Sequence, residues 1–354
     1  MLWDLFCRVI DNHGDIGVCW RLAADLASRG ERVRLWADDT SALAWMAPGG
    51  AAGVEIRAWA EDIAWPEPGE VVVEAFGCDL PPTFVARMAA RQPPPRWINL
   101  EYLSAEGYVE RSHGLPSPQS AGPGAGLVKH FFYPGFTAAT GGLIREAWLA
   151  SERAAFDRAA WLSRHGLAPH PGERIVVLFC YDNPALPPLL DALAETPTLL
   201  VATTGLAERQ VRAQLGPSLR RGALRAVVLR AVDQHDFDRL LWSADLNLVR
   251  GEDSLVRAQW AGASFVWQAY AQHDGAHKAK VEAFLDRHLA GATADLAVPL
   301  RALWRGWNGL AVMPAPSAWP DRRPWADHTR IWRDGLAAQT DLVTQLVGFA
   351  SRAG

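Results

Sequence analysis

Short apolar runs alternate with amphipathic stretches of helical period along the first half of the chain. The runs that predict strands are LWDLFCRVI (2–10), ERVRLWADD, GVEIRAW, VVVEAFG and RWINLEYL. After the first run, a stretch ending at Gly30 predicts a helix whose buried face carries Cys19, Leu22, Ala23 and Leu26. Strands and helices that alternate over short connections predict right-handed crossovers and a doubly wound parallel sheet.

A second series of strands begins near residue 174, with RIVVLFCY, TLLVATTG, RAVVLRAV, LNLVRG and SFVWQAY. A helical connector (151–166) and a proline-containing link separate the two series. Because 354 residues exceed the size of most single cores, the chain is expected to form two domains, 1–168 and 169–354. The pattern predicts an α/β protein with two Rossmann-like domains facing across a cleft. A last helix is predicted from about 326 to 351, with packing against the first domain as one option.

Composition narrows the class of protein. The chain is 49% apolar and 21% charged, as in ordinary globular proteins, and its net charge of −4 predicts no general attraction for nucleic acid or anionic membranes. No apolar run approaches membrane-spanning length, and the four cysteines form no CxxC pair. These features indicate reduced thiols and a cytoplasmic protein. The Gly-, Pro- and Ser-rich segment 112–128 predicts a functional or mobile loop.

The segment DNHGDIG (11–17) follows the first strand and places two carboxylates, Asp11 and Asp15, on a glycine-bearing loop. Ligands of open α/β sheets bind at this end of the strands. The G-x-G-x-x-G fingerprint is absent, and two acids would repel a phosphate, so the loop favours a cationic or proton-bearing substrate. The alternative reading makes Asp15 the cap of the helix and Asp11 a turn residue.

The segment LNLVRGEDSLVRAQW (246–260) joins a strand to an amphipathic helix that Asp253 or Ser254 is predicted to cap. Arg250 and Arg257 add positive charge near the helix N-terminus, a combination that suits a diphosphate. Glu252 is out of place in a pure phosphate site and indicates sugar hydroxyls or catalysis. The alternative is an ordinary capped helix with Arg250 on the surface.

Two further segments carry candidate chemistry. LFCYDNPAL (178–186) places Phe179 and Tyr181 at the end of a strand, where aromatic rings either stack on a nucleobase or pack in the core. His273 and His277 have the spacing of metal ligands on one helix face, but no third ligand is close in sequence. The sequence therefore predicts solvated histidines rather than a metal site.

Several segments together resemble one known family from nearly end to end. They are DNHGDIGVCWRLA, NLEYLSAE (99–106), HGLPSPQ (113–119), FFYPGFTAATGGLIRE (131–146) and LLWSADLNLVRGEDSLVRAQWAG (240–262). With these segments the chain resembles the bacterial elongation factor P arginine rhamnosyltransferases, the EarP family. His13 occupies a place where close relatives often carry tyrosine, a departure that leaves both carboxylates in place.

The resemblance implies an inverting glycosyltransferase of the GT-B type. Members transfer L-rhamnose from TDP-β-L-rhamnose to one arginine guanidinium of elongation factor P, which then rescues ribosomes stalled on proline runs. The C-terminal domain is expected to bind the nucleotide sugar and the N-terminal domain the acceptor protein, without a metal or another cofactor. The alternative is a GT-B transferase or epimerase that uses another nucleotide sugar and a carbohydrate acceptor.

The resemblance also assigns roles to individual residues. The implied catalytic residues are Asp11, Asp15 and Glu252. The implied donor-binding residues are Arg250, Asp253, Ser254 and Tyr181, with Phe179 and Gln234 at the thymine, and Gly14 and Gly17 of the loop complete this expected set. Deprotonating an arginine at neutral pH costs roughly 8–9 kcal/mol, so Asp15 is expected to take the proton late, while the C–N bond forms, and Asp11 to orient the guanidinium.

Overall fold

The computed structural model describes residues 1–10, 13–60, 63–271 and 275–352. The chain divides into two compact units, Met1–Ala147 with Ala337–Gly354, and Trp148–Leu336. The sequence pattern had placed the division at 168, whereas in the structure the helical connector lies in the second unit. The C-terminal segment belongs to the first unit. That unit is therefore built from two separate stretches of the chain, whereas the second unit is one continuous stretch.

The first unit is built on a mixed sheet with the strand order β3-β2-β1-β4-β5-β7-β6. Among the described strands of this sheet, β6 alone runs antiparallel to its neighbour. Its strands are β1 (Leu2–Cys7), β2 (Arg32–Ala37), β3 (Val54–Ala58), β4 (Val71–Ala75), β5 (Arg96–Leu100), β6 (Pro116–Pro118) and β7 (Val128–Phe132). The first helices are α1 (Gly14–Ser28), α2 (Leu43–Met46), α3 (Pro82–Ala90) and α4 (Tyr108–Ser112).

The second unit contains a sheet of order β10-β11-β9-β8-β12-β13, parallel except at β10. Its strands are β8 (Arg174–Leu178), β9 (Thr198–Thr203), β10 (Arg220–Arg221), β11 (Leu224–Leu229), β12 (Leu246–Arg250) and β13 (Ser264–Gln268). After α4, the helices of the second unit are α5 (Leu149–Ala154), α6 (Arg158–Arg164), α7 (Leu186–Leu193), α8 (Leu206–Leu215), α9 (Gln234–Ser243), α10 (Glu252–Ala261), α11 (Ala276–His288), α12 (Ala294–Trp307) and α13 (Arg322–Ala337). The last helix, α14 (Leu342–Ser351), belongs to the first unit.

The central strands are covered on both faces, which is why they read as continuous apolar runs. Every residue of β4, VVVEA, is buried. The predicted apolar face of α1 is confirmed, because Cys19, Leu22, Ala23 and Leu26 are all fully buried. Helix α14 adds Leu342, Val343 and Leu346 to the same core. The prediction of one helix from 326 to 351 was wrong, since the chain forms α13 and α14 there, and the Asp341 side chain caps α14 by accepting from Thr344 N–H.

Both sheets are doubly wound, which confirms the predicted fold class of two Rossmann-like units. The strand order of the first sheet reverses between β1 and β4, and that of the second between β8 and β12. Open α/β sheets bind their ligands beyond the carboxyl ends of such strands. The acidic loop follows β1, while Phe179–Tyr181 and Gly251–Glu252 follow β8 and β12. No helix in the described ranges is long and apolar enough to cross a membrane.

Candidate active site

Asp15 is the candidate carboxylate of the first unit that the structure describes, and Asp11 lies outside the described residues. The helix α1 begins at Gly14, with His13 as its cap residue and no side-chain cap. The alternative role of Asp15 as helix cap is therefore wrong. Asp15 is only 3% exposed, and it lies in the first turn, where a carboxylate is stabilised by the helix dipole.

Two chain segments hold the Asp15 carboxylate. Its Oδ2 accepts a hydrogen bond from the backbone N–H of Ile10 at 2.9 Å, and its Oδ1 accepts one from the hydroxyl of Tyr102 at 3.4 Å. The Tyr102 ring stacks on Phe76 with 4.4 Å between centroids and 12° between planes. Phe76 follows β4 and has a φ of +58°, a conformation that side chains rarely adopt. Residues that follow β1 and β5 therefore contact this carboxylate, and a residue that follows β4 supports one of them through its ring.

The two glycines of the loop occupy different positions. Gly14 is the first residue of α1, whereas Gly17 is buried within the helix and donates its N–H to the carbonyl of His13 at 3.1 Å. Their expected part in donor binding stays a prediction.

In the second unit, Arg250 ends β12 and lies against two aromatic rings. The carbon of its guanidinium is 4.6 Å from the ring centroid of Phe179 and 4.4 Å from that of Tyr181. The structure therefore brings together three residues that the sequence placed in two separate segments. Cation–π contacts of this kind hold a planar guanidinium in one orientation. The Tyr181 ring also contacts the edge of Tyr270, which is 57% exposed.

The helix α10 begins directly after Arg250. Gly251 is its cap residue with a φ of +73°, and Glu252 and Asp253 form the first turn. The prediction that Asp253 or Ser254 caps the helix was wrong, because the Ser254 hydroxyl donates to the carbonyl of Arg250 instead. Glycine adopts this positive φ without strain, and the N-terminus of a helix is a geometry that binds anions.

Glu252 and Gln234 lie at the first positions of two neighbouring helices. The Glu252 carboxylate is 3.8 Å from Nζ of Lys280 on α11 and remains partly exposed. Gln234 is buried at the start of α9, where Asp233 caps the helix. Sequence reasoning missed Lys280, since only the fold brings α11 beside the start of α10.

Arg257 does not contribute positive charge at the start of α10, contrary to the prediction. It is fully buried and forms a bidentate ion pair with Asp238 on α9, with distances of 2.8 and 2.6 Å. The pair is structural: it joins the helix that begins at Gln234 to the helix that begins at Glu252.

Other groups with possible catalytic chemistry are inaccessible or scattered. All four cysteines are buried free thiols, and burial raises the pKa of Cys180 to about 12. Thiols of this kind are poor nucleophiles. No group of three potential metal ligands occurs within the part of the chain that the structure describes. Of the two histidines with metal-ligand spacing, His273 lies outside that part.

Comparisons with known proteins agree with this architecture. The model of the family described as Elongation-Factor P (EF-P) rhamnosyltransferase EarP matches residues 3–351. A protein-arginine rhamnosyltransferase of Pseudomonas putida KT2440 is 46% identical, with 98% of each chain covered. A solved structure of EarP, described as the basis for arginine glycosylation of translation elongation factor EF-P, is 35% identical over 98% of both chains, with a TM-score of 0.69.

A more distant solved structure shares the fold alone. The spinosyn rhamnosyltransferase SpnG is 13% identical, with a TM-score of 0.55 over 99% of this chain. The likeness covers both Rossmann-like units, so this chain has the fold of the GT-B glycosyltransferases. With the match to the family model over nearly its whole length, this chain belongs to the EarP family of EF-P rhamnosyltransferases.

Proposed function

We propose that this protein transfers L-rhamnose from TDP-β-L-rhamnose to an arginine side chain of elongation factor P, with inversion at the anomeric carbon. Membership of the EarP family supports the reaction class. The assignment of the donor site depends on one observation: the Arg250 guanidinium lies against the rings of Phe179 and Tyr181, directly before α10 begins.

The donor site in this proposal lies at the carboxyl ends of β8 and β12. Arg250 and the first turn of α10 bind the diphosphate, and Asp253 and Ser254 belong to the same turn. Phe179 and Tyr181 supply aromatic surface for the thymidine. Gln234, at the start of α9, supplies a polar group for the thymine. The guanidinium and the helix N-terminus stabilise the negative charge of the departing TDP, which is the part that a metal ion plays in other transferases.

The acceptor site in this proposal is the acidic loop after β1. Carboxylates bind a guanidinium by charge-assisted hydrogen bonds and hold one nitrogen toward the anomeric carbon. That nitrogen forms the new C–N bond while the bond from the anomeric carbon to the TDP oxygen breaks. Asp15 takes the proton that the nitrogen loses, and TDP leaves with the bonding electron pair. The contacts of Asp15 with Ile10 and Tyr102 support this role, because they fix the carboxylate before the acceptor arrives.

Two acids complete the proposed set. In this proposal Asp11 orients the guanidinium that Asp15 binds. Glu252 braces the sugar or the acceptor nitrogen, and its ion pair with Lys280 keeps this carboxylate at the start of α10. An acid at this position is unfavourable for a diphosphate alone, which supports a role at the sugar.

The proposal is tested by incubating the purified protein with elongation factor P and TDP-L-rhamnose, followed by peptide mass spectrometry. The expected product carries one deoxyhexose on one arginine, and an acceptor with lysine at that position should remain unmodified. Parallel reactions with EDTA should proceed at the same rate. Modification that requires another nucleotide sugar, or sugar transfer only to a carbohydrate, would favour the alternative GT-B activity.

A further inference from the structure

We propose that Gln210 and Gln268 are positioning residues for nucleotide binding, because they fix the backbone of the segment that presents Tyr181 to Arg250. This inference rests on the donor site proposed above. Neither glutamine belongs to the residues that the sequence motifs single out, and both lie outside the loops after β8 and β12.

The segment that follows β8 needs support from outside itself. It leaves the sheet after Phe179, whose N–H still donates to the carbonyl of Leu248 on β12 at 2.8 Å. Residues 180–183 form no strand or helix, so their backbone groups require partners from elsewhere. Tyr181 lies in the middle of this segment, so the position of its ring depends on those partners.

Gln268 is the first partner. It is the last residue of β13, is 8% exposed, and pairs in register with Arg250 of β12. Its Oε1 accepts from the N–H of Tyr181 at 2.9 Å, and its Nε2 donates to the carbonyl of Asp182 at 3.4 Å. Because β12 lies between β8 and β13, the Gln268 side chain passes the end of β12 to reach this segment. It therefore links the strand pair that carries Arg250 to the backbone that carries its aromatic partner.

Gln210 on α8 holds the same segment through its own amide. Its Nε2 donates to the carbonyl of Tyr181 at 3.1 Å, and its Oε1 accepts from the N–H of Asn183 at 2.8 Å. Each glutamine thus uses its donor and its acceptor together on one short backbone segment. A primary amide is the neutral side chain that offers both. With both Tyr181 backbone groups bound, the segment cannot shift without breaking side-chain hydrogen bonds.

The consequence concerns binding rather than the chemical step. The Tyr181 ring is 4.4 Å from the Arg250 guanidinium, and a loosened segment would leave both groups without a fixed orientation before the nucleotide arrives. Preorganisation of this kind lowers the cost of ordering the site on binding. Loss of either amide should therefore raise the Kd for TDP and the KM for the donor, while kcat at saturating donor and the KM for elongation factor P stay near wild type.

The test uses the full chain with Gln210→Met and Gln268→Met, and Gln214→Met as the matched control. Gln214 lies on the same helix as Gln210 with an exposed side chain. Calorimetry with TDP alone should show about fivefold to tenfold weaker binding for each of the two variants and wild-type binding for the control. Hydrogen exchange without nucleotide should be faster at the amides of Tyr181 and Asn183. If a Met variant does not fold, Gln210→Glu and Gln268→Glu, which keep the acceptor oxygen, take its place.

The outcomes separate this inference from the proposed function. Wild-type protein that binds TDP, together with variants that bind it equally well, overturns the role of the glutamines and leaves the donor site standing. Faster exchange at Tyr181 and Asn183 with unchanged TDP affinity also overturns the role of the glutamines, because the two side chains then only stabilise the segment and do not support nucleotide binding. Wild-type protein that fails to bind TDP refutes the proposed donor itself.

Discussion

The hydroxyl of Tyr102 lies 3.4 Å from Oδ1 of Asp15, across the carboxyl ends of β5 and β1. The ring that carries this hydroxyl is fixed by its stack on Phe76, which in turn is held by a 2.6 Å hydrogen bond from its N–H to the carbonyl of Leu100. The orientation of the carboxylate therefore depends on residues more than sixty positions away in sequence, at the point where the first sheet reverses its strand order.

The first prediction concerns this hydrogen bond. Tyr102→Phe keeps the stack on Phe76 and removes only the hydroxyl, so kcat with elongation factor P should fall by about threefold to tenfold, the value of one hydrogen bond. TDP affinity should not change, since the residues proposed to bind the thymidine and the diphosphate belong to the other unit. Steady-state kinetics and calorimetry measure the two quantities. A Tyr102→Phe enzyme with wild-type kcat would show that Asp15 needs no support from this side.

The second prediction concerns Asp15 itself. Asp15→Asn keeps an acceptor oxygen for the Ile10 N–H but cannot take a proton, so the transfer rate should fall by about 10²–10⁴ while TDP binding and the melting temperature stay near wild type. The control is Asp39→Asn, an exposed acid that follows β2 at the same edge of the sheet. If Asp15→Asn retained more than a tenth of the activity, another group would have to accept the proton.

The third prediction separates charge from shape at Arg250. Arg250→Lys keeps the positive charge but loses the planar guanidinium that lies against Phe179 and Tyr181. The Kd for TDP should rise by about tenfold to a hundredfold. The same substitution at Arg209, an exposed residue of α8, should leave it unchanged. Wild-type affinity in Arg250→Lys would mean that only charge matters at this position.

The sequence predicted the strands of both sheets well, because their apolar runs are long and bounded by turn residues. It missed β6 and β7, where the segment 112–128 looks like a loop. The Pro116–Pro118 strand pairs antiparallel with β7, and Pro, Gly and Ser in the segment hide that pairing. Local composition cannot show a pairing in which one strand is as short and as rich in proline as Pro116–Pro118.

The sequence also found most of the candidate site, because motifs at strand ends converge at one edge of each sheet. What it missed are contacts between separate elements. Tyr102 follows β5 and touches a residue of α1; Lys280 lies on α11 and touches Glu252 of α10. The sequence predicted Arg257 as a cation of the site, because its partner Asp238 lies on another helix and is brought to it only by the fold. The helix cap at Gly251 was missed for a different reason: a backbone φ of +73° replaces the side-chain cap that Asp253 or Ser254 would supply.

The fourth prediction concerns the buried pair Arg257–Asp238. Arg257→Met leaves the Asp238 carboxylate buried without its cation, which should lower the free energy of unfolding by about 3–5 kcal/mol. Arg257→Met combined with Asp238→Leu removes both charges and should recover most of that loss. Urea denaturation followed by tryptophan fluorescence measures both. Equal losses in the single and double variants would show that the cavity, not the unpaired charge, causes the instability.

His288 is a titratable side chain buried inside the second unit. It is fully buried at the end of α11, its ring lies parallel to that of Phe284 at 5.5 Å, and Trp332 and His328 contact its edge. Neither ring nitrogen has a hydrogen-bond partner among the described residues. Burial, with a smaller contribution from the charge of His328, lowers the pKa of His288 from 6.5 to about 3.

The fifth prediction follows from that lowered pKa. The unfolded chain binds a proton at this histidine below pH 6.5, whereas the folded protein does not until about pH 3, so stability is lost as the pH falls through this window. Between pH 7 and pH 5 the loss from this group is about 2 kcal/mol. His288→Leu should remove that part of the pH dependence, and the same substitution at exposed His170 should not. Urea denaturation at the two pH values measures the difference for each protein. If His288→Leu lost as much stability between pH 7 and pH 5 as the wild type, the acid sensitivity would have to come from other groups, and the buried ring would titrate like a solvated one.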